Sequence, residues 1–542
     1  MSKKLFFNNE AREKLQKGIN MVADAAGSTL GARGKTVIIS SGYGHMPITT
    51  KDGVTVVKST FLDDEIENTG VMLIRGVAEK QLETCGDGTT TGAVLAQSIL
   101  NNGMDAIFSP KQSWLERFAG IKSRKVNSQE VKSGIDKAVN CVVETLKQNA
   151  IQVDNNDMIK NVATISANND PEIGGLIAEA YSKIGNDGLL TIEDSKTIET
   201  YVKTVEGAEM ARGYGMSDKF VTDPKKMEIV YENPRILVLD YEVKTLKEIE
   251  PIMKEIAATP ESFSRPFIII AQGFEGEVFN TFVVNKLQNG MKLCLIQAPA
   301  KYQKEAFRDV ACLVGAKLIS DEHGLKPEHS RVDHTGTCEK IIVSKTSTLF
   351  IGGNTNKEEL EQIQKEIKLH IHNETNPLML EVLGKRLARL SGSIGVIYVG
   401  GATDVETKER KDRVDDAVRA VKSAIEEGVV AGGGVSLIRC IKELASIEAN
   451  GDEKIGVELI AKACMAPLQK MLSNAGLEQS IANQVLEGNW GYNVKTMAFE
   501  DLFKVGIIDP VKVVRCAMQN AASVSSQVLG SDVLMVEMKP TV

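Results

Sequence analysis

Gly86-Asp87-Gly88-Thr89-Thr90-Thr91 is the stretch of this chain best suited to chemistry. Two glycines let the backbone turn sharply and approach a ligand closely. Three threonines offer hydroxyls and free backbone N–H groups where a helix begins, a place that favours an anion. A carboxylate inside such a loop would repel a bare phosphate, so Asp87 makes sense chiefly with a divalent cation between them. Mg2+ is held in this way, by one or two carboxylates together with the phosphates of its nucleotide. A plain helix–turn–helix corner with a capping aspartate would show the same six residues, because glycine-rich loops alone are weak signals. If Asp87 holds a cation, hydrolysis still needs a carboxylate to orient or deprotonate water. Asp52, in the tight turn Lys51-Asp52-Gly53, is one candidate, and Asp416, in the charged run from Lys411, is another. The helix 411–426 reads more readily as a solvated charged face.

The elements that would position these residues are visible as periodicity. Ile66, Leu73, Ile74 and Val77 recur at helical spacing before the loop, and Val94, Leu95 and Ile99 begin a second apolar stripe after it. Phe267-Ile268-Ile269-Ile270 reads as a buried strand with Pro266 at its mouth, and Leu293-Cys294-Leu295-Ile296 as another. Helical patterns near 275–289 and 303–315 alternate with them, which predicts a separate α/β module. The final third is helical, with apolar stretches near 412–426, 434–446 and 453–474. Neither internal repeats nor a long proline-rich linker interrupts the chain.

At 542 residues the chain divides into about three domains of ordinary size. Charge is mixed, 64 basic against 72 acidic residues, without the basic stripe of a nucleic-acid binder. The opening Met1–Phe7 turns polar too soon for a signal-peptide core, and no apolar run reaches membrane-spanning length. Eight scattered cysteines without a CxxC pair read as reduced thiols in the cytoplasm. His323, His329, His334 and Cys338 cluster loosely, but their spacing fits no common zinc pattern and reads as a surface loop.

Several short motifs, in order from about residue 5 to 535, resemble the group I chaperonins of the bacterial GroEL type. They are Thr29-Leu30-Gly31, Thr50 to Val54, Gly86 to Thr91, Thr164-Ile165-Ser166-Ala167-Asn168, Val205-Glu206-Gly207, Gly401-Ala402-Thr403, Arg413 to Ala417, Glu426 to Gly434, and Asp509-Pro510. Any one is weak; their joint order is specific. The resemblance implies a multidomain α and α/β fold. Residues 1–148 and 427–542 would form a mostly helical, discontinuous equatorial domain. Residues 149–205 and 395–426 would form a small intermediate domain, and 206–394 an α/β apical domain.

The same resemblance implies an ATPase that promotes folding of unfolded polypeptides in a ring cavity. The alternative is a degenerate scaffold or holdase without productive turnover. Thr29, Leu30, Gly31, Lys51, Gly53, Asp87, Gly88, Thr89, Thr90, Thr91, Gly433, Asn493, Val494, Ile507 and Asp509 would converge on ATP. Asp87 would hold Mg2+, and the resemblance also allows for K+. Asp52 and Asp416 would place the attacking water, with Asp416 entering the site as the intermediate domain swings. Tyr214, Phe220, Met253, Phe279, Val283 and Val284 would present an apolar groove to unfolded chains, while Phe282 would be core. Self-association into seven-membered rings, single or double, follows by resemblance, whereas a co-chaperonin is left open.

Departures mark a divergent member, phage-encoded or a secondary paralogue. Glu250 occupies a groove position that is usually apolar, Lys219 replaces an aromatic, and Ala300-Lys301-Tyr302-Gln303 replaces a glycine-rich loop. Asp105 and Gln469 stand where basic residues usually help join two rings, and about fourteen residues are inserted near 108–122. A rebuilt or weakened contact between rings is the expectation.

Overall fold

The computed structural model describes residues 3–6, 9–40, 47–108, 126–186, 188, 190–195, 197–210, 212–214, 218–224, 226–258, 264–297, 304–345, 347–374, 376, 379, 382–384, 386–387, 390, 393–484, 488–531 and 533–537. The insertion beyond Phe108, the replacement loop at 300–303 and the last five residues lie outside these. Two compact units emerge, one from Met1–Ala178 with Gly401–Val542, the other from Glu179–Gly400.

The first unit opens with β1 (Lys3–Phe6), α1 (Asn9–Gly27) and the hairpin of β2 (Val37–Ile39) and β3 (Ile48–Thr50). Then come α2 (Gly53–Ser59), α3 (Glu65–Cys85), α4 (Thr89–Phe108), α5 (Ser128–Gln148) and α6 (Asn156–Ser166). Local chemistry fixes the ends of α3. Asp64 accepts the N–H groups of Ile66 and Glu67 at 2.9 and 3.2 Å, while Glu65 and Glu67 face the positive end of the helix dipole. At the other end Gly86 takes φ +74° and returns its N–H to the Leu82 carbonyl. The chain thus turns at Gly86 and restarts as α4 three residues later, as the apolar spacing predicts.

The second unit holds a nine-stranded mixed sheet. Its strands are β4 (Leu190–Asp194), β5 (Tyr201–Met210), β6 (Ile229–Glu232), β7 (Arg235–Val243), β8 (Phe267–Phe274), β9 (Leu293–Gln297), β10 (Gly336–Val343), β11 (Thr348–Gly353) and β12 (Ser393–Val399). They lie in the order β4-β12-β5-β11-β10-β7-β8-β9, with β6 also on β10. The run β7-β8-β9 is parallel, with α7 (Glu250–Ala257) and α8 (Gly276–Asn289) as crossovers and α9 (Lys304–Val314) following. Phe267 to Ala271 are all buried, the pattern of a parallel strand covered on both faces. The expected α/β module is therefore present. A further helix, α10 (Lys357–Asn373), buries Ile363 and Ile367.

On its return the chain completes the first unit with α11 (Asp404–Glu427), β13 (Val429–Ala431), α12 (Val435–Leu444) and α13 (Glu453–Asn474). The hairpin of β14 (Trp490–Asn493) and β15 (Ala498–Asp501), then β16 (Ile508–Pro510), α14 (Val511–Leu529) and β17 (Leu534–Glu537) follow. Leu95, Ile99 and Leu100 of α4, Ile74 of α3 and Ile135 of α5 lose all contact with solvent in one shared core with α13 and α14. Two strand pairs join distant sequence. β1 runs antiparallel to β17 with Phe6 opposite Leu534, and β13 runs antiparallel to β16 with Val430 opposite Asp509. The second pair sets the turn Gly432-Gly433-Gly434 beside Asp509.

Candidate functional site

All the residues assigned by resemblance to nucleotide and water line one cavity of about 500 Å3 in the first unit. That volume suits a small organic ligand. The loop between α3 and α4, the turn before α2, α11, the β13–α12 turn, the β14–β15 hairpin and β16 each contribute to its wall.

The floor is the loop Gly86 to Thr91. Asp87 is tied at three points: Oδ2 accepts the Ser166 hydroxyl at 2.6 Å, Oδ1 accepts the Gly88 N–H at 2.5 Å, and its carbonyl accepts Gln81 Nε2 at 2.9 Å. Gly88 has φ +78°, and a Cβ there would lie 2.6 Å from Val513 Cγ1, so both conformation and space demand glycine. The hydroxyls of Thr89, Thr90 and Thr91 have no hydrogen-bond partner among the described residues. With the free amides of the first turn of α4 they form a donor-rich surface suited to phosphate oxygens.

Facing these donors is a group of carboxyls. Burial pushes Asp87, Asp416 and Asp509 above the usual carboxylate range, and the charge of Asp87 pushes Asp416 and Asp509 further. Asp509 is pushed up to about 7. Like charges gathered in a partly desolvated cavity call for a cation. Among the described residues no three side chains of His, Cys, Asp or Glu are placed to hold a metal by themselves. A Mg2+ ion here would take Asp87 and complete its shell from phosphate and water, the pattern usual for this ion.

Asp52 and Asp416, both candidates in the sequence although the helix of Asp416 reads more readily as a solvated face, differ in the structure. Asp52 caps α2, accepting the N–H groups of Val54 and Thr55 at 3.0 and 2.9 Å and the Thr55 hydroxyl at 2.6 Å. Asp416 has no hydrogen-bond partner among the described residues and turns a free carboxyl to the cavity. The solvated-face reading of helix 411–426 therefore fails at Asp416, although Asp412 and Arg419 on the same helix are exposed. Asn493 lines the cavity, but its side chain serves its own hairpin. Oδ1 accepts the Lys495 N–H at 2.9 Å and Nδ2 donates to Glu500 at 2.6 Å.

Ser166 and Gln81 acquire parts that the sequence did not suggest. Ser166 lies inside the Thr164–Asn168 motif, so the signal was present but carried no role. Gln81 sits on a helix face where a polar residue ordinarily reads as solvated.

In the second unit the apolar stripe needs correction. Phe220, Tyr214 and Val283 are 1, 5 and 7% exposed and belong to the core rather than to a surface groove. Phe220 packs edge-on against Phe279 at 5.7 Å between ring centroids, and the Tyr214 hydroxyl donates to the Met227 carbonyl. Phe282 is core, as expected. Val284 and Leu287 of α8 are exposed, while Phe279 and Met253 are half-buried. Glu250, at the start of α7, is neither buried nor orphaned, since it pairs with Lys254 at 2.7 Å one turn on.

A helical unit built from both chain ends around the loop Gly86 to Thr91, together with an inserted α/β unit, is the architecture of a chaperonin. The model of the TCP-1/cpn60 chaperonin family matches residues 22–539, and the chain belongs to that family. It is a divergent member of the GroEL type. The fold is shared with the chaperonin gp146 from the bacteriophage EL 2 (Pseudomonas aeruginosa), crystallised in the presence of ATP-BeFx. Crystal form II matches with TM-score 0.70 and crystal form I with 0.63, each at 20% identity over 99% of both chains.

Proposed function

We propose that this chaperonin binds ATP with Mg2+ in the cavity of its first unit and uses hydrolysis to promote the folding of unfolded polypeptides. The observation that carries the reading is the free carboxyl of Asp416, facing the same cavity as Asp87 and the unpaired donors of α4. In this reading Thr89, Thr90, Thr91 and the α4 amides hold phosphate oxygens, and Gly31, Gly53 and Gly88 allow close backbone approach. Asp87 orients the cation, which when bound would neutralise phosphate charge. Asp416 takes a proton from the attacking water, a task that suits a carboxyl raised by burial and by neighbouring carboxyls, while Asp52 supports it from the cap of α2. Thr29, Leu30, Lys51 and Gly433 complete the wall. Val494 and Ile507, both apolar, suit the base, and Asp509 with Asn493 suits the sugar side.

Unfolded chains would dock on the exposed parts of α7 and α8, which leave Val284 and Leu287 exposed and Phe279 and Met253 half-buried. The three-domain division, assembly into rings and a cytoplasmic setting belong to the same reading. The crystallisation of gp146 in the presence of ATP-BeFx supports the nucleotide assignment. Among the described residues no helix is long and apolar enough to cross a membrane. The test is Mg2+-dependent ATP hydrolysis by the purified protein, together with recovery of a denatured model enzyme. Absence of turnover under folding-assay conditions would leave the scaffold reading.

A further inference from the structure

Gln81 and Asn520 form a polar rung in an otherwise apolar seam between α3 and α14. Gln81 has no exposed surface and Asn520 is 6% exposed. Asn520 Nδ2 donates to Gln81 Oε1 at 3.0 Å. Gln81 Nε2 donates to two main-chain carbonyls, those of Asp87 at 2.9 Å and Val513 at 3.1 Å. Chemistry fixes this orientation, because a reversed amide would set its oxygen against two carbonyl oxygens. One turn along each helix, Cys85 and Cys516 meet in a small buried cluster with Val513. The seam thus packs well with less polar side chains, and a buried amide pair is costly unless every partner is satisfied. Here the Gln81 amide finds a partner for its oxygen and two for its nitrogen, and one of them is the loop Gly86–Thr91.

The carbonyl of Asp87 and the N–H of Gly88 belong to a single planar peptide. Gln81 holds one edge of that plane, and at the other edge the N–H donates to Asp87 Oδ1. Rotation of this peptide would release the carboxylate and alter the φ of +78° with which Gly88 leads into α4. Neither Gln81 nor Asn520 lines the cavity. We propose that Gln81, locked by Asn520, is a positioning residue for the phosphate loop. It keeps the Asp87 carboxylate and the first amides of α4 in the orientation that a magnesium-bound nucleotide requires. The inference rests on the nucleotide reading above.

The test uses the full-length protein and two variants. Gln81→Met keeps the volume and removes the donor; Asn520→Leu leaves both carbonyls satisfied but frees the Gln81 amide to turn. Hydrogen exchange of nucleotide-free protein should accelerate selectively in peptides covering Gly86–Thr91. The Mg2+ concentration for half-maximal binding of a fluorescent ATP analogue should rise about tenfold or more in Gln81→Met, as for loss of a group that orients a metal ligand, and less in Asn520→Leu. Thermal melting confirms folding, and if Gln81→Met does not fold, Asn520→Leu decides. Unchanged loop exchange with an unchanged Mg2+ requirement overturns the inference. So does exchange that rises uniformly across the unit while the Mg2+ requirement stays fixed. Failure of the wild-type protein to bind nucleotide would sink the nucleotide reading instead, and the exchange arm would still judge the hold on the loop.

Discussion

The hydroxyl of Ser166 donates to Oδ2 of Asp87 at 2.6 Å, tying the last residue of α6 to the loop between α3 and α4. This bond holds the Asp87 carboxyl down against the larger effect of burial, which pushes it up. Ser166→Ala should therefore raise the carboxyl further and weaken the charged form that a cation needs. Hydrogen bonds to charged groups contribute about 1.5–3 kcal/mol, so affinity for Mg2+-nucleotide should fall by about tenfold or more. Titration with a fluorescent nucleotide at several Mg2+ concentrations measures this, and an unchanged affinity would remove Ser166 from the site.

The raised carboxyls set a sign for pH dependence. Asp509 titrates at about 7 in the folded protein, against about 3.9 in an unfolded chain. Between these values the native state binds the extra proton, so the contribution of Asp509 to stability falls as pH rises from about 4 to about 7. Asp509→Asn should flatten that part of the profile in nucleotide-free melting curves. A cation favours the charged forms, so Mg2+-nucleotide binding near pH 6.5 should release protons. Calorimetry in two buffers of different ionisation enthalpy would detect them; buffer-independent heats would contradict the assignment.

Asp416→Ala should separate binding from turnover. Loss of a general base typically slows a reaction by about 10²–10⁴-fold, so hydrolysis should drop at least ~100-fold while nucleotide still binds. The same change removes a carboxyl raised by burial and by Asp87 and Asp52. Nucleotide-free Asp416→Ala should therefore melt at or above the wild-type temperature. A variant that is both slow and markedly less stable would point to a structural role.

Glu250→Leu tests the apolar surface of the second unit. Glu250 and Lys254 leave 52 and 73% of their side chains in solvent, so their pairing carries little stability. Replacement should leave the melting temperature unchanged while joining a new apolar side chain to the neighbourhood of Met253. Retention of a chemically denatured model protein should increase, and so should binding of a conventional bacterial co-chaperonin loop. Tight co-chaperonin binding by the unmodified protein would show that Glu250 excludes nothing.

Much of this was legible in the sequence, for physical reasons. The loop Gly86–Thr91 interrupts two apolar periodicities, and the helices do end and restart there, at Cys85 and Thr89. The strands around 267 and 293 announced themselves as continuous apolar runs, because parallel strands are covered on both faces. Burial of one aromatic over another was not legible. Phe220 and Phe279 carry similar side chains, and only the packing decides that Phe220 is core while Phe279 keeps partial exposure. Asp416 was not legible either, because its charged helix reads as a solvated face; only the structure shows that Asp52 caps α2 while Asp416 faces the cavity without a partner among the described residues. Gln81 could not be read at all, since its partner Asn520 lies 439 residues away.

The first unit closes only when β1 meets β17 and α4 is enclosed by α13 and α14. This has a consequence for synthesis. A ribosome releases Leu95, Ile99 and Leu100 well before Glu453, where α13 begins, and at ordinary elongation rates the interval is on the order of tens of seconds. Throughout that time the nascent helices display apolar faces with nothing to cover them, and the long-range contacts that would do so are slow to form. On the folding role proposed above, a newborn copy of this protein would pass through the very condition that an older copy captures, and the yield of new copies would depend on how many finished ones are already at hand.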